Sequence, residues 1–228
     1  MTNREFLRLH LEAVWETTIP PLDDADVDLP PSDSLPPWLM YWARLGDDQV
    51  TLWRADVAPE QRADLLERAR RTEAIYDPTL EMRREVALRL SAAPAAPHSP
   101  LPAARRLTAD DAPLLEAFEA ESAPYFLDPG HAPCIGVIVD GRLASVAHSS
   151  RRTPAACELG INTLPEARRR GYALVAILAW TRAIRAEGLT PIYSAFAHNT
   201  ASLRLAAAAG YIPVADGIYG PMSAPNVA

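Results

Sequence analysis

One uncharged stretch, residues 91–102 reading SAAPAAPHSPLP, can join neither a helix nor a central strand. Each of its prolines lacks an N–H donor and clashes with a preceding helical turn. It also shows no apolar periodicity, so it reads as a linker with extended proline-rich character. Whatever folds must fold on either side of it. The chain of 228 residues is long enough for two small cores. The reading is therefore two domains, residues 1–98 and 99–228.

Charge separates the same two parts. Residues 1–103 carry 11 arginines against 18 acidic residues, and residues 104–228 carry 11 of each. The acidic N-terminal part argues against a nucleic-acid partner, because phosphate recognition needs a basic face. Every basic residue apart from histidine is arginine, so the protein has no lysine side chain of its own to modify. No apolar run reaches the ~18 residues of a membrane span, and residues 1–10 interleave charges with leucines, unlike a signal peptide. These features predict a cytoplasmic protein with no membrane partner. Cys134 and Cys157 lie in apolar strand-like segments and read as core residues, not as a disulfide framework or metal site.

In the N-terminal part, Phe6, Leu7, Leu9, Leu11 and Val14 recur at helical spacing and predict a helix over residues 3–18. Residues 20–37 are rich in proline and aspartate and read as an irregular acidic connection. Residues 38–44 and 50–54 are aromatic-rich strands joined at Gly46-Asp47-Asp48. Residues 59–72 and 78–90 read as helices. This part is predicted to be mainly helical with a small hairpin. Its tryptophan-rich hairpin permits a homodimer contact.

The C-terminal part alternates element types. Residues 105–107 read as a strand, and Thr108-Ala-Asp-Asp caps a helix over 112–119. Residues 134–139 and 143–149 are strands joined by the turn signal Asp140-Gly141. A strand over 156–163, a helix over 171–187 closed by Gly188, a strand over 192–197, a helix over 200–209 and a final apolar segment over 211–214 follow. This order predicts an α+β fold of three layers, with a mixed, mostly antiparallel sheet flanked by helices.

The chemistry concentrates at Arg168-Arg169-Arg170-Gly171-Tyr172-Ala173, between a strand and a long helix. A helix start offers unpaired N–H groups and the positive end of its dipole. Gly171 lets backbone approach a phosphate closely, and the arginines add charge. A pyrophosphate is the expected guest. The sequence has neither a GxxxxGK[ST] loop nor a GxGxxG fingerprint.

Arg168-x-x-Gly171-x-Ala173 resembles the (Q/R)-x-x-G-x-(G/A) signature of the GNAT acyltransferases. Asn199-x-x-Ser202-x-x-Leu205, followed by Gly210-Tyr211, is similar to that family's second signature. Glu158-Leu-Gly-Ile-Asn-Thr163 looks like its splayed fourth strand, and residues 106–111 like its opening strand and helix. The resemblance covers residues 104–221 and none of residues 1–103. It implies an acetyl-CoA co-substrate and no metal. It further implies that backbone groups of Ile161 and Thr163 pair with the pantetheine arm. Arg168, Arg169, Arg170, Gly171, Tyr172 and Ala173 would hold the pyrophosphate, and Asn199 and Ser202 would contact the coenzyme near its thiol.

Acyl transfer to an amine needs a base for the nucleophile and an acid for the departing thiolate. Glu158 lies in the register where several family members place a catalytic glutamate, and His148 at a strand end is the alternative base. The resemblance fails at one position: the tyrosine that often serves as acid is Ala206 here. Tyr211, Tyr219 or water would then supply the proton. The leading expectation is a direct, ternary-complex transfer to a small-molecule or peptide amine, bound by residues 121–132 and the N-terminal part. The alternative is a non-catalytic acyl-CoA-binding regulatory or interaction module.

Overall fold

A computed structural model describes residues 1–32, 35–75, 77–91 and 102–222. The linker read at 91–102 lies outside these residues apart from its two ends, and so does the domain boundary expected at residue 98. The chain forms two compact units. The first contains Met1–Arg89, Ser194–Leu203 and residues 213–222; the second contains Leu90–Tyr193 and Arg204–Ile212.

The first unit opens with helix α1 (Asn3–Trp15). Thr2 and Glu5 cap it reciprocally: Glu5 N donates to Thr2 Oγ1 at 3.1 Å and Thr2 N to Glu5 Oε2 at 2.6 Å. Its apolar stripe of Phe6, Leu7, Leu11 and Val14 is buried as the periodicity requires. Short strand β1 (Asp26–Asp28) follows, then the hairpin β2 (Trp38–Leu45) and β3 (Asp48–Trp53), in register from Leu45↔Asp48 to Met40↔Trp53. Helix α2 (Pro59–Ala74) has its proline at the first helical position. Strand β4 (Arg83–Leu90) comes next, and the C-terminal strand β10 (Tyr211–Met222) pairs antiparallel with β2. The strand order in this unit is β1-β3-β2-β10-β4.

Strand β4 corrects the helix expected over residues 78–90; only Pro78–Leu80 make a short 3₁₀ turn. The sequence RREVALRL is built from good helix formers, but burial of Glu85 decides the matter. Its Oε1 accepts from Tyr41 Oη at 2.9 Å and lies 3.0 Å from His10 Nε2. An extended backbone delivers this one carboxylate to partners on β2 and α1, and tertiary contact overrides propensity. Strand β10 likewise runs well beyond the apolar segment expected at 211–214.

The second unit contains β5 (Ala104–Arg106), α3 (Ala112–Phe118), α4 (Ala123–Phe126), β6 (Ile135–Val139), β7 (Arg142–Arg152), β8 (Ala156–Thr163) and α5 (Tyr172–Ala186). Strand β9 (Thr190–Phe196) and helix α6 (Thr200–Ala208) each have residues in both units. The strand order is β9-β8-β7-β6-β5. All pairs are antiparallel except β8 with β9. Helices cover both faces. Leu115, Ala123 and Phe126 of α3 and α4 pack with Leu143 and Val146 of β7. On the other side Trp180 of α5 donates from Nε1 to Ser149 Oγ at 3.3 Å.

The entry to α3 is fixed by one carboxylate. Asp111 is buried and accepts from Arg105 Nη1 at 2.8 Å and Thr108 N at 2.9 Å. The Arg105 guanidinium and the Thr108 N–H lower its pKa from 3.8 to about 2. A depressed folded-state pKa stabilises the fold above the unfolded value and ceases to do so as pH falls through the folded value. Asp111→Asn should therefore lower Tm at pH 7. The gap to the unmodified protein should close between about pH 4 and pH 2, as read by thermal denaturation across that range.

Candidate active site

The site grows from the register of β7 on β8. Arg152 pairs with Cys157 and Arg151 with Glu158, while Ser149 pairs with Leu159; Ser150 is the extra residue of a bulge. The bulge turns Ser150 and Arg151 toward one carboxylate. Glu158 is only 5% exposed, and its Oε2 accepts from Ser150 Oγ and Arg151 Nη1, both at 3.0 Å. A buried carboxylate requires such partners.

His148 sits opposite Gly160, two residues along β8 from Glu158, so alternation puts both side chains on one face. That face also packs α4. The imidazole packs closely against Gly160: a Cβ there would sit 2.2 Å from its Cε1. Its Nε2 is 3.2 Å from Tyr125 Oη, and the Phe126 ring meets it edge-on at 5.0 Å. The His131 ring lies 4.0 Å from that of Tyr125, and its Nδ1 donates to the Tyr125 carbonyl at 2.7 Å. Burial, helped by His131, pushes the His148 pKa down to about 4, so the ring is uncharged at neutral pH. His148 Nδ1 is buried without a hydrogen-bond partner among the described residues. Tyr125 and His131 were not singled out from sequence, because only the fold brings α4 and its following turn onto residue 148.

Beside this face the sheet opens. The parallel ladder between β8 and β9 runs only from Ala156↔Thr190 to Glu158↔Ile192. Antiparallel pairs alternate between those that exchange backbone hydrogen bonds and those that do not. Leu164 N donates to Ala144 O at 3.1 Å, and the same register runs back through Asn162↔Val146 and Gly160↔His148. The peptide groups of Leu159, Ile161 and Thr163 therefore point away from β7. Thr190 N donates to Ala155 O at 3.0 Å, which has the same parity on the β9 side. Beyond Glu158, then, these outward groups face the side that β9 has left.

The chain leaves β8 through a 3₁₀ turn at Pro165–Ala167 and enters α5. Arg169 has φ 61° and Gly171, the helix N-cap, has φ 82°. Residues 168–171 are exposed. None of Arg168, Arg169 and Arg170 has an ion-pair partner among the described residues. Tyr172 and Ala173 form the first turn of α5.

Asn199 and Ser202 belong to the first unit. Asn199 Oδ1 accepts from Ser202 N at 3.1 Å and caps α6. Ala206 is fully buried. Of the two tyrosines considered as acids, Tyr211 is buried with its hydroxyl 2.8 Å from Thr181 Oγ1. Tyr219 lies in the first unit, stacked on Tyr41 at 5.7 Å. Among the described residues no group of His, Cys, Asp and Glu side chains could hold a metal, and no helix is long and apolar enough to cross a membrane.

Comparison with known proteins shows what this chain is similar to. Residues 116–216 match the model of the GNAT acetyltransferase family. No curated protein matches. Among solved structures, a GCN5-related N-acetyltransferase from Sphaerobacter thermophilus is 18% identical with a TM-score of 0.50, over 75% of this chain and 58% of that one. A GNAT-family acetyltransferase from Novosphingobium aromaticivorans is 24% identical, TM-score 0.48, over 60% and 63%. A GCN5-related N-acetyltransferase-like protein from Streptococcus suis is 20% identical, TM-score 0.48, over 74% and 69%. The chain thus spans less than two thirds of the first two proteins.

The packing of His148 on Gly160 is testable alone. Gly160→Ala should cost about 1–3 kcal/mol in urea denaturation, because the added methyl meets a buried ring. Adding His148→Ala removes the collision, so the two changes should be markedly non-additive.

Proposed function

We propose that the second unit binds an acyl-CoA, with acetyl-CoA the first candidate, and transfers the acyl group to an amine by direct attack. The observation that carries this reading is the early end of the β8–β9 ladder. Peptide groups of Ile161 and Thr163 face the opening, as an extended amide-bearing chain such as pantetheine would need for pairing in the manner of an added strand. The loop that follows immediately offers Arg168, Arg169 and Arg170 and the N–H groups at the start of α5 to a pyrophosphate. Gly171 at φ 82° holds that loop in a conformation costly for a β-branched residue.

The coenzyme brings an activated thioester; the chain supplies orientation and proton handling. Glu158 is the proposed base, since a carboxylate on the face beside the opening can take the proton of an incoming amine. His148, uncharged at neutral pH, is the alternative base. The acceptor proposed is a small-molecule or peptide amine. A non-catalytic acyl-CoA-binding module is the second reading, favoured by the methyl group of Ala206 where family members often carry a tyrosine.

Coenzyme binding is tested by thermal shift. CoA should raise Tm by mass action, and Gly171→Val should lose that shift while remaining folded. A Gly171→Val protein that binds CoA like the unmodified one would remove the pyrophosphate assignment. Thiol release from acetyl-CoA with a panel of amines separates the two readings. Glu158→Gln should keep the CoA shift and lower turnover ~10²- to 10⁴-fold; His148→Gln, measured alongside, should lower it far less.

A further inference from the structure

The hydrogen-bond inventory around His148 fixes which way its contact with Tyr125 runs. A neutral imidazole carries one N–H and one bare nitrogen. If Nδ1 held the proton, an N–H would be buried without an acceptor among the described residues. Orphaned buried N–H groups are rarer than under-satisfied acceptors. The proton therefore belongs on Nε2, which donates to Tyr125 Oη 3.2 Å away. The phenol oxygen is then an acceptor toward His148, and its own O–H is left for something on the open side. Tyr125 is 45% exposed, and Glu158 lies within electrostatic reach of its phenol.

The proton has a task there. Tyr211 has its hydroxyl on Thr181, inside the core of this unit, and residue 206 is a buried alanine. The charged and titratable groups around Tyr125 are His148 and His131 in ring contact, with Glu158 and Arg151 within electrostatic reach. Burial and Glu158 raise the phenol's pKa against the opposing pull of Arg151, so it stays protonated at neutral pH.

Resting on the acyl-transfer reading above, we infer that Tyr125, oriented by the Nε2–H of His148, is the proton donor to the departing thiolate. In this step Glu158 takes a proton from the amine. The amine nitrogen forms its bond to the acyl carbon, and the C–S bond breaks. The electron pair left on sulfur takes the Tyr125 proton. The phenolate accepts the His148 hydrogen bond until solvent returns a proton. His148 is a positioning residue in this scheme.

Tyr125→Phe should leave the CoA-induced Tm shift and the KM for acetyl-CoA unchanged and lower kcat ~10²-fold or more. An unchanged kcat overturns the inference and leaves the acyl-transfer reading intact. A wild-type protein that binds no CoA overturns the reading itself, through a different measurement. A protein that binds CoA but releases no thiol overturns both the catalytic reading and this role. A second readout needs no turnover. With a fluorinated tyrosine at residue 125, the ¹⁹F resonance reports phenol ionisation directly. If Nε2–H donates to Oη, His148→Phe removes a bond that favours the phenolate, so ionisation moves up by about one pH unit. His148→Gln keeps an N–H donor and should stay near the unmodified value. A downward shift in His148→Phe would show that the phenol donates to His148 instead and would sink the assignment.

Discussion

The second unit depends on one broken ladder. Strand β8 keeps β7 along its whole length but keeps β9 only as far as Glu158↔Ile192. Peptide N–H and C=O groups left unpaired in partly buried backbone cost about 1–3 kcal/mol each unless something else bonds them. Leu159 is buried and Ile161 and Thr163 are half-buried, so these are not freely solvated edge groups. A fold that keeps such an edge open has a surface that gains by being paired. The neighbouring features follow from it. The bulge at Ser150 lets β7 bend while Glu158 stays bonded, and Pro165 and Gly171 turn the chain directly from the open edge into α5.

The open edge of β8 and the face under α4 differ in character. Along the edge, the proposed recognition is by backbone and depends little on side-chain identity. Across the α4 face, three side chains are fixed by one another. Glu158 is held by Arg151, His148 is kept uncharged by burial, and Tyr125 is set by His148 and His131. A carboxylate and a neutral imidazole only two residues apart on one face illustrate how environment, not residue type, assigns proton roles. The hole above Gly160 is what admits the imidazole; a side chain there would displace it.

Local chemistry made much of this legible in the sequence. Asp140 and Gly141, at φ 49° and 74°, form the hairpin turn that their residue types imply. Gly188 and Gly210 end their helices with φ 78° and 86°, and the Thr108–Asp111 cap opens α3. The turn through Gly171 into α5 was equally plain, because a helix start is written in contiguous residues. What stayed hidden depends on partners far away in the chain. Glu85 needed His10 and Tyr41 to make residues 83–90 a strand. Tyr125 needed the register His148↔Gly160, which no periodicity in residues 123–126 encodes. The placement of Ser194–Leu203 with Met1–Arg89 is of the same kind.

The proposed direct attack also rests on what the second unit's nucleophiles are doing. A covalent acyl-enzyme would need an activated thiol or hydroxyl. Cys134 and Cys157 are both buried, and burial pushes their thiols up to about 12 and about 11. At neutral pH almost none of either is the thiolate that attacks. Among the serines of β7, Ser149 donates to the Ala132 carbonyl at 2.6 Å and Ser145 to the Asn162 carbonyl at 3.0 Å. Ser150 Oγ donates to Glu158 Oε2 at 3.0 Å, and in the proposed scheme that carboxylate serves the incoming amine. These commitments favour the proposed direct attack, in which the nucleophile comes with the acceptor. In that proposal the unit holds the two reactants in line and manages two protons, a division in which positioning supplies much of the rate.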